Sequence, residues 1–541
     1  MKRDVLGIRA LDRATPWQSG PHRFFFWLCA ACLALYVAYA AYLSRSNLFV
    51  TGADTAAALL WFAAFACGAL WLLLKVSGLR FNRAAPDARA RLNPRVMLVS
   101  VTLSLLILAV YLMAAYPGGV SVDSAVQWTQ ASTGLYSNWH PVFHTLLIRL
   151  AWRIFPSYAF AVAVQCGVFS LAVGYLVATL YAWGVRLWAL LAVEALGVAA
   201  PILGNTLMYL WKDNAMTIGV LLLTAQTANV YFSRGDWLQK TKNALAFGGA
   251  LAFTTLVRHN AFLFTLPLMV TSLLCYRGQL RGMLTAAATF VAALALVWGP
   301  LYSAVGVTYP SNTVAEAIGV PMTVICNVRV QNPAALDAET RSFTESMADD
   351  SVWQTYRLDE YNSIKFGTAR EAVSKATLAQ ILRMTLSTAK ADPRGAFLAV
   401  NGVTDLVWGL ADEGAANVTV RNSGDLPSVP RKNGSLNRMG AALKTLVAAP
   451  FGLNAVAWAY GNLGVSFLAL LVLSLRALRA NGSRVLALCL PTLFYNLGTM
   501  CVLCGTDARF FSFSPLLCTV SALVLLRDLP PQILPMRKGT P

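Results

Sequence analysis

Apolar runs of about twenty residues recur along most of this chain, the length at which an α-helix crosses a bilayer with its backbone polar groups satisfied internally. They occupy residues 24–43, 56–76, 96–115, 158–183, 187–203, 214–232, 283–304, 450–475, 485–504 and 510–526. The run at 244–276 is too long for one span and is interrupted by Arg258, His259 and Asn260, so it predicts two short helices meeting at a polar break. The pattern predicts an all-α polytopic membrane protein of about twelve transmembrane helices. Two segments depart from it. After residue 116 a short interfacial helix is expected, and a second follows where Arg149 and Arg153 break the apolar pattern, with Trp139 and Trp152 at headgroup depth. Residues 305–449 mix acids and bases with amphipathic stretches such as 378–386, predicting a small folded domain of mixed or mainly helical structure, with an exposed loop at 414–434. The chain thus divides into 1–95 (tail and first two spans), 96–304 (core, with a first external loop at 116–157), 305–449 (external domain) and 450–541 (last spans and tail).

Loop charge orients this arrangement. Lys2, Arg3, Arg9, Arg13 and Arg23 precede the first span, and Lys75, Arg80, Arg83, Arg89, Arg91 and Arg95 follow the second. Arg186, Arg234, Lys240, Lys242, Arg277, Arg281, Arg476, Arg479, Arg484, Arg527, Arg537 and Lys538 fall on the same side when the run at 244–276 counts as two crossings and every other run as one. The positive-inside rule then makes both termini cytoplasmic and places 116–157 and 305–449 on the opposite face. The segment before Arg23 is polar and basic and leads into a run of full span length, so the first helix is expected to stay as an anchor rather than to be cleaved.

Composition narrows the classes further. With 57% hydrophobic and only 12% charged residues, the chain is unlike a water-soluble domain, for which about 25% charged is usual. A net charge of +19 could signal nucleic acid, but the bases are scattered among short loops instead of forming one stripe, so no nucleic-acid partner is expected. Of ten cysteines, Cys326 alone falls in the large polar segment, so no disulfide framework is expected there; Cys501 and Cys504 read as small core side chains of a span.

Several polar residues gather on the external side. Tyr116, Pro117, Gly118 and Gly119 end the third span sharply, and Ser121 and Asp123 stand where a helix would begin. Asp123 has two readings, a cap for that helix or a general base at the membrane surface. His140 and His144 lack a third ligand at a supporting spacing, which disfavours a metal site. Lys212 and Asp213 follow Trp211 at one external helix end, Arg258 and His259 mark the external turn of the helix pair, and Arg509 lies beside Asp507 in the last external turn. Each cation could snorkel or pair locally, yet together they suit the phosphate of a lipid head group. A glycan transporter, flippase or polymerase is the rival class; it would place ionisable groups near mid-membrane and often repeat its halves, and no repeat is evident.

In these residues the chain resembles the GT-C class of membrane glycosyltransferases, which use polyprenyl-phosphate sugars, and in particular an uncharacterised bacterial branch. The resemblance is carried by Tyr116, Pro117, Gly118, Asp123 and Ser124, then Tyr136, Ser137, His140 and Pro141, then Lys212 with Asp213, Arg258 with Asn260, Trp353, Tyr356, Tyr361, Ile364 and Lys365, and finally Arg509, Phe510 and Pro515. It implies a GT-C-like fold in a bacterial inner membrane, with the site on the periplasmic face. It further implies inverting transfer of a sugar from a polyprenyl-phosphate donor to a glycan, glycolipid or protein acceptor. Asp123 would be the general base, with His140, Lys212, Asp213, Arg258, His259 and Arg509 binding substrate. Many members of the class carry paired acids in the first loop, whereas Asp123 is followed by Ser124 here; the resemblance therefore admits a divalent cation without requiring one.

Overall fold

The computed structural model describes residues 21–43, 52–79, 91–310, 314–410, 420 and 433–528. The bases Lys2, Arg3, Arg9, Arg13, Arg80, Arg83, Arg89, Arg537 and Lys538, and nearly all of the loop expected at 414–434, lie outside these residues. Among the described residues the protein is helical, and two isolated bridges, Gly119 with Tyr209 and Ser137 with Thr308, replace any sheet. Eight helices are long and apolar enough to cross a membrane: Arg23–Ala41, Ala57–Ser77, Pro94–Ala115, Tyr158–Ala182, Lys212–Phe232, Arg277–Ala304, Leu463–Asn481 and Ala508–Leu525. The shorter helices Leu187–Ala199, Thr241–Val257, Phe262–Cys275 and Leu486–Met500 correspond to the remaining apolar runs.

Three boundaries differ from the sequence expectation, each for a local reason. The run at 187–203 breaks before Pro201, which cannot donate a backbone hydrogen bond and instead starts a separate short helix, Pro201–Thr206. The run at 450–475 is not one span: a turn at Ala449–Gly452 and a short helix at Asn454–Gly461 precede Leu463–Asn481, whose start is fixed by Asn462 accepting from the Val465 amide at 2.9 Å. The helix expected over 485–504 ends at Met500. Cys504 therefore leaves the span and packs in the same buried cluster as Cys326, which alone among the cysteines belongs to segment 305–449.

Close helix packing is set by small residues. A side chain at Gly174 would meet Val101 at 2.5 Å and the Met97 carbonyl at 3.1 Å, so this glycine lets Tyr158–Ala182 cross Pro94–Ala115 in near backbone contact. Lys212–Phe232 runs through the middle of the bundle with nearly every side chain buried. Glu194, also buried, accepts from Ser100 and Ser104 at 2.6 and 2.7 Å, so its hydrogen bonds link the two apolar helices Leu187–Ala199 and Pro94–Ala115.

The two ends of the bundle differ. At one end, basic side chains bind the last carbonyls of helices: buried Arg476 donates to Leu79 and Leu525 and pairs with Asp528, Arg479 donates to Leu74, and Arg527 donates to Trp183. At the other end sits the helical domain of residues 314–408, built around Met322, Ile325, Cys326, Trp353, Tyr361 and Met384. Tyr36 and Tyr39 of the first span hold this domain by donating to the Trp408 carbonyl and to Asn401. The helix Gly434–Val447 lies against the end of Pro94–Ala115, where Asn437 donates to the carbonyls of Met113, Ala114 and Tyr116 at 3.1–3.2 Å.

Candidate functional site

The helix Val122–Thr133 begins with a reciprocal cap: Ser121 accepts from the Ser124 amide, and the Ser124 hydroxyl accepts from the Ser121 amide at 2.8 Å. Ser121 thus provides the cap, and the Asp123 carboxylate on the first turn is not used for capping. The preceding loop is pinned beside a second helix start. The Gly119 amide donates to the Met208 carbonyl at 2.9 Å, Tyr158 donates to the Gly119 carbonyl at 2.6 Å, and Trp211 donates through Nε1 to Ser121 Oγ at 2.7 Å. The first turns of Val122–Thr133 and Lys212–Phe232 therefore lie side by side. Both helix N-termini, with their unpaired amides and positive dipole ends, point to the same space.

Arg509 reaches this space from the last external turn. Its Nη1 donates to Asp123 Oδ2 at 2.8 Å and its Nε lies 2.7 Å from Asp507 Oδ2, while Asp507 also caps the turn by accepting from the Arg509 amide. The guanidinium packs over Trp211 and Phe510, with ring centroids 5.2 and 5.0 Å away. Arg258 forms a buried ion pair with Asp213, stacks 4.7 Å over Phe510, and donates to Asn260, which in turn donates to Thr499. Lys212 is different. Among the described residues no carboxylate lies within ion-pairing distance of it, and its Nζ instead donates to His140 Nδ1 at 3.2 Å.

Electrostatics follow from this placement. Burial alone would push the Asp123 carboxyl up, but Arg509, Lys212 and His140 outweigh it and hold it down at about 2. Burial, reinforced by the neighbouring Lys212 charge, pushes His140 down to about 3; the ring is neutral and its Nδ1 accepts from Lys212. His144 is likewise held neutral by burial, and pairs at 2.7 Å with the fully buried Gln127 across the two interfacial helices.

All seven side chains singled out in the sequence lie at this end, in unequal positions. Asp123 pairs with Arg509, and Lys212 with His140, close enough that Lys212 and His140 act electrostatically on Asp123; Asp213 and Arg258 are a separate buried pair; His259 lies 3.4 Å from Asn138. His144 pairs with Gln127 instead of with these groups. The aromatic pattern Trp353, Tyr356 and Tyr361 is buried in the external domain's core. Lys365 of the same pattern pairs at 2.8 Å with Glu316, an acid that sequence reasoning missed because no motif surrounds it. The external domain closes on the loop at 136–140 through Thr308, whose amide donates to the Tyr136 carbonyl, and through Arg370, stacked 4.3 Å from the Trp139 ring. Among the described residues no three His, Cys, Asp or Glu side chains are grouped to hold a metal ion.

Comparison with known proteins adds little to this geometry. No family model and no curated protein matches the chain. Among solved structures, the crystal structure of ArnT from Cupriavidus metallidurans bound to undecaprenyl phosphate aligns over 79% of this chain and 77% of that one, at 13% identity and a TM-score of 0.29.

Proposed function

We propose that this protein is a membrane glycosyltransferase that moves a sugar from a polyprenyl-phosphate donor to an envelope glycan, lipid or protein acceptor, with inversion, at the external end of its helix bundle. The observation that carries the reading is the placement of one carboxylate, Asp123, near a lysine that has no carboxylate within ion-pairing distance among the described residues, Lys212, each in the first turn of its helix. A phosphate fits that position by charge and by the amides the helix starts present.

The chemistry runs on this chain's own groups. Asp123 takes the proton of the acceptor hydroxyl, the acceptor oxygen bonds to the anomeric carbon, and the bond from that carbon to the lipid phosphate breaks with its electron pair going to the phosphate oxygen. The leaving phosphate gains one negative charge, which Lys212 and Arg509 stabilise. Arg509 is shared between Asp123, through Nη1, and Asp507, through Nε. An incoming phosphate competes for its guanidinium, and each hydrogen bond drawn away from Asp123 makes that carboxylate a better base. Donor binding thereby prepares the base. Asp213 holds Arg258 in place, and neutral His140 accepts from Lys212 while leaving its other ring nitrogen for a sugar hydroxyl.

The test is transfer by the purified protein in lipid nanodiscs, with radiolabelled polyprenyl-phosphate sugar and an envelope fraction as acceptor. Asp123→Asn is expected to abolish transfer while still binding donor. Transfer retained by this variant overturns the assignment of the base. Translocation of the labelled lipid without transfer favours the transporter class instead.

A further inference from the structure

Away from the catalytic group, the external domain contains an open cleft of about 310 Å³ between the helices Ala338–Met347, Thr368–Lys375 and Leu378–Ala391. Its floor is apolar, made by Phe343, Ala372 and Met384, and its rim carries Glu339, Glu371, Lys375 and Gln380. We infer that this cleft is a docking site for an oligosaccharide, the acceptor glycan of the transfer proposed above, on which this inference rests.

The chemistry of the lining selects that ligand class. A sugar ring has one face of C–H groups, which suits the Phe343 floor, and an edge of hydroxyls, which donate to carboxylates and accept from amides and ammonium groups. Glu371 and Lys375 form no ion pair among the described residues, while Glu339 is held by Arg383. The rim thus offers both acceptors and donors without a strong net charge, unlike a phosphate or nucleotide site. The volume stands at the lower end of small-molecule sites, roughly 300–1,000 Å³.

Position links the cleft to the reaction. Thr368, Glu371, Ala372 and Lys375 line it at helical spacing, whereas Arg370 of the same helix leaves that face and stacks on Trp139, the residue before His140. Cleft and catalytic loop therefore lie on opposite sides of one helix, separated by roughly 10–12 Å, the width of a helix with its side chains. An oligosaccharide spans such a distance and a single sugar does not.

The experiment uses the full-length protein in nanodiscs on an array of bacterial surface oligosaccharides, together with their component monosaccharides. Binding is expected to a subset of oligosaccharides and to none of the monosaccharides at the same concentration. It should fall at least tenfold in Ser346→Trp, which fills the mouth of the cleft from an exposed position, and in Glu371→Lys, which reverses the rim charge. No retained oligosaccharide, or binding indifferent to both cleft variants, overturns the inference. Cleft-dependent binding by a protein whose Asp123→Asn variant still transfers sugar overturns the catalytic reading alone.

Discussion

Asp123 and Arg509 are 386 residues apart in sequence and 2.8 Å apart in space, and the Arg509 guanidinium is shared between Asp123 and Asp507. The pair fixes the acid limb of any pH dependence. Because the Asp123 carboxyl is held down at about 2, it stays ionised well below the usual carboxylate range. Its contribution to stability is fully present above the ordinary carboxylate value and is lost only as pH falls through about 2. In the free enzyme kcat/KM should therefore show no Asp123 titration at mildly acidic pH. In Arg509→Gln the guanidinium no longer opposes burial, so the acid limb of the kcat/KM profile should move upward. An unshifted limb in that variant would mean that another group is the base.

The three cations of the site are predicted to fail in different ways. Lys212 has no carboxylate within ion-pairing distance among the described residues, and a charged hydrogen bond is worth roughly 1.5–3 kcal/mol. Lys212→Ala should accordingly weaken donor binding by about 10- to 100-fold, with little loss of thermal stability. Equilibrium binding of labelled donor to nanodisc-embedded protein measures this, and unchanged affinity would remove Lys212 from the phosphate site.

Arg258 is the opposite case. It and Asp213 are 4% and 3% exposed, so removing the guanidinium strands a buried carboxylate at a cost of about 3–5 kcal/mol. Arg258→Ala should unfold at markedly lower temperature, and Arg258→Ala combined with Asp213→Ala should recover much of that loss. A double variant no more stable than the single one would show that the pair does not act as a unit.

The apolar runs were legible in the sequence because length and hydropathy are sufficient to place a helix in a membrane. The polar interruption at Arg258 was legible for the same reason, since charge in such a run must be accommodated. Other features were hidden. Pro201 and Asn462 cut apolar runs that hydropathy alone reads as continuous, and their capping roles depend on backbone geometry within one turn. Cys504 looked like a span residue because its neighbours are apolar, yet its own side chain packs in the cluster that holds Tyr361 and Met322. Within the site, the sidedness of Asp123, Lys212, Arg258 and Arg509 followed from counting spans. Which acid meets which base did not, because Arg509 and Arg258 are chemically alike and only tertiary packing gives one to Asp123 and the other to Asp213.

Gly119 offers a test of how the site is assembled that touches no charged group. A side chain there would lie 2.6 Å from the Tyr209 ring, and the Gly119 amide is already committed to the Met208 carbonyl. Neither backbone can retreat easily, because Tyr158 holds the Gly119 carbonyl and the Tyr209 ring stacks on Trp211 at 4.0 Å. The added methyl should therefore part the two helix starts, at roughly 1–3 kcal/mol for overpacking. Gly119→Ala should lower transfer through a loss in kcat, since Asp123 and Lys212 move relative to each other while each keeps its chemistry. Tyr209→Leu in the same protein makes room for the methyl and should restore much of the rate. A Gly119→Ala variant with full activity would show that close apposition of the two helix starts is not needed for the reaction.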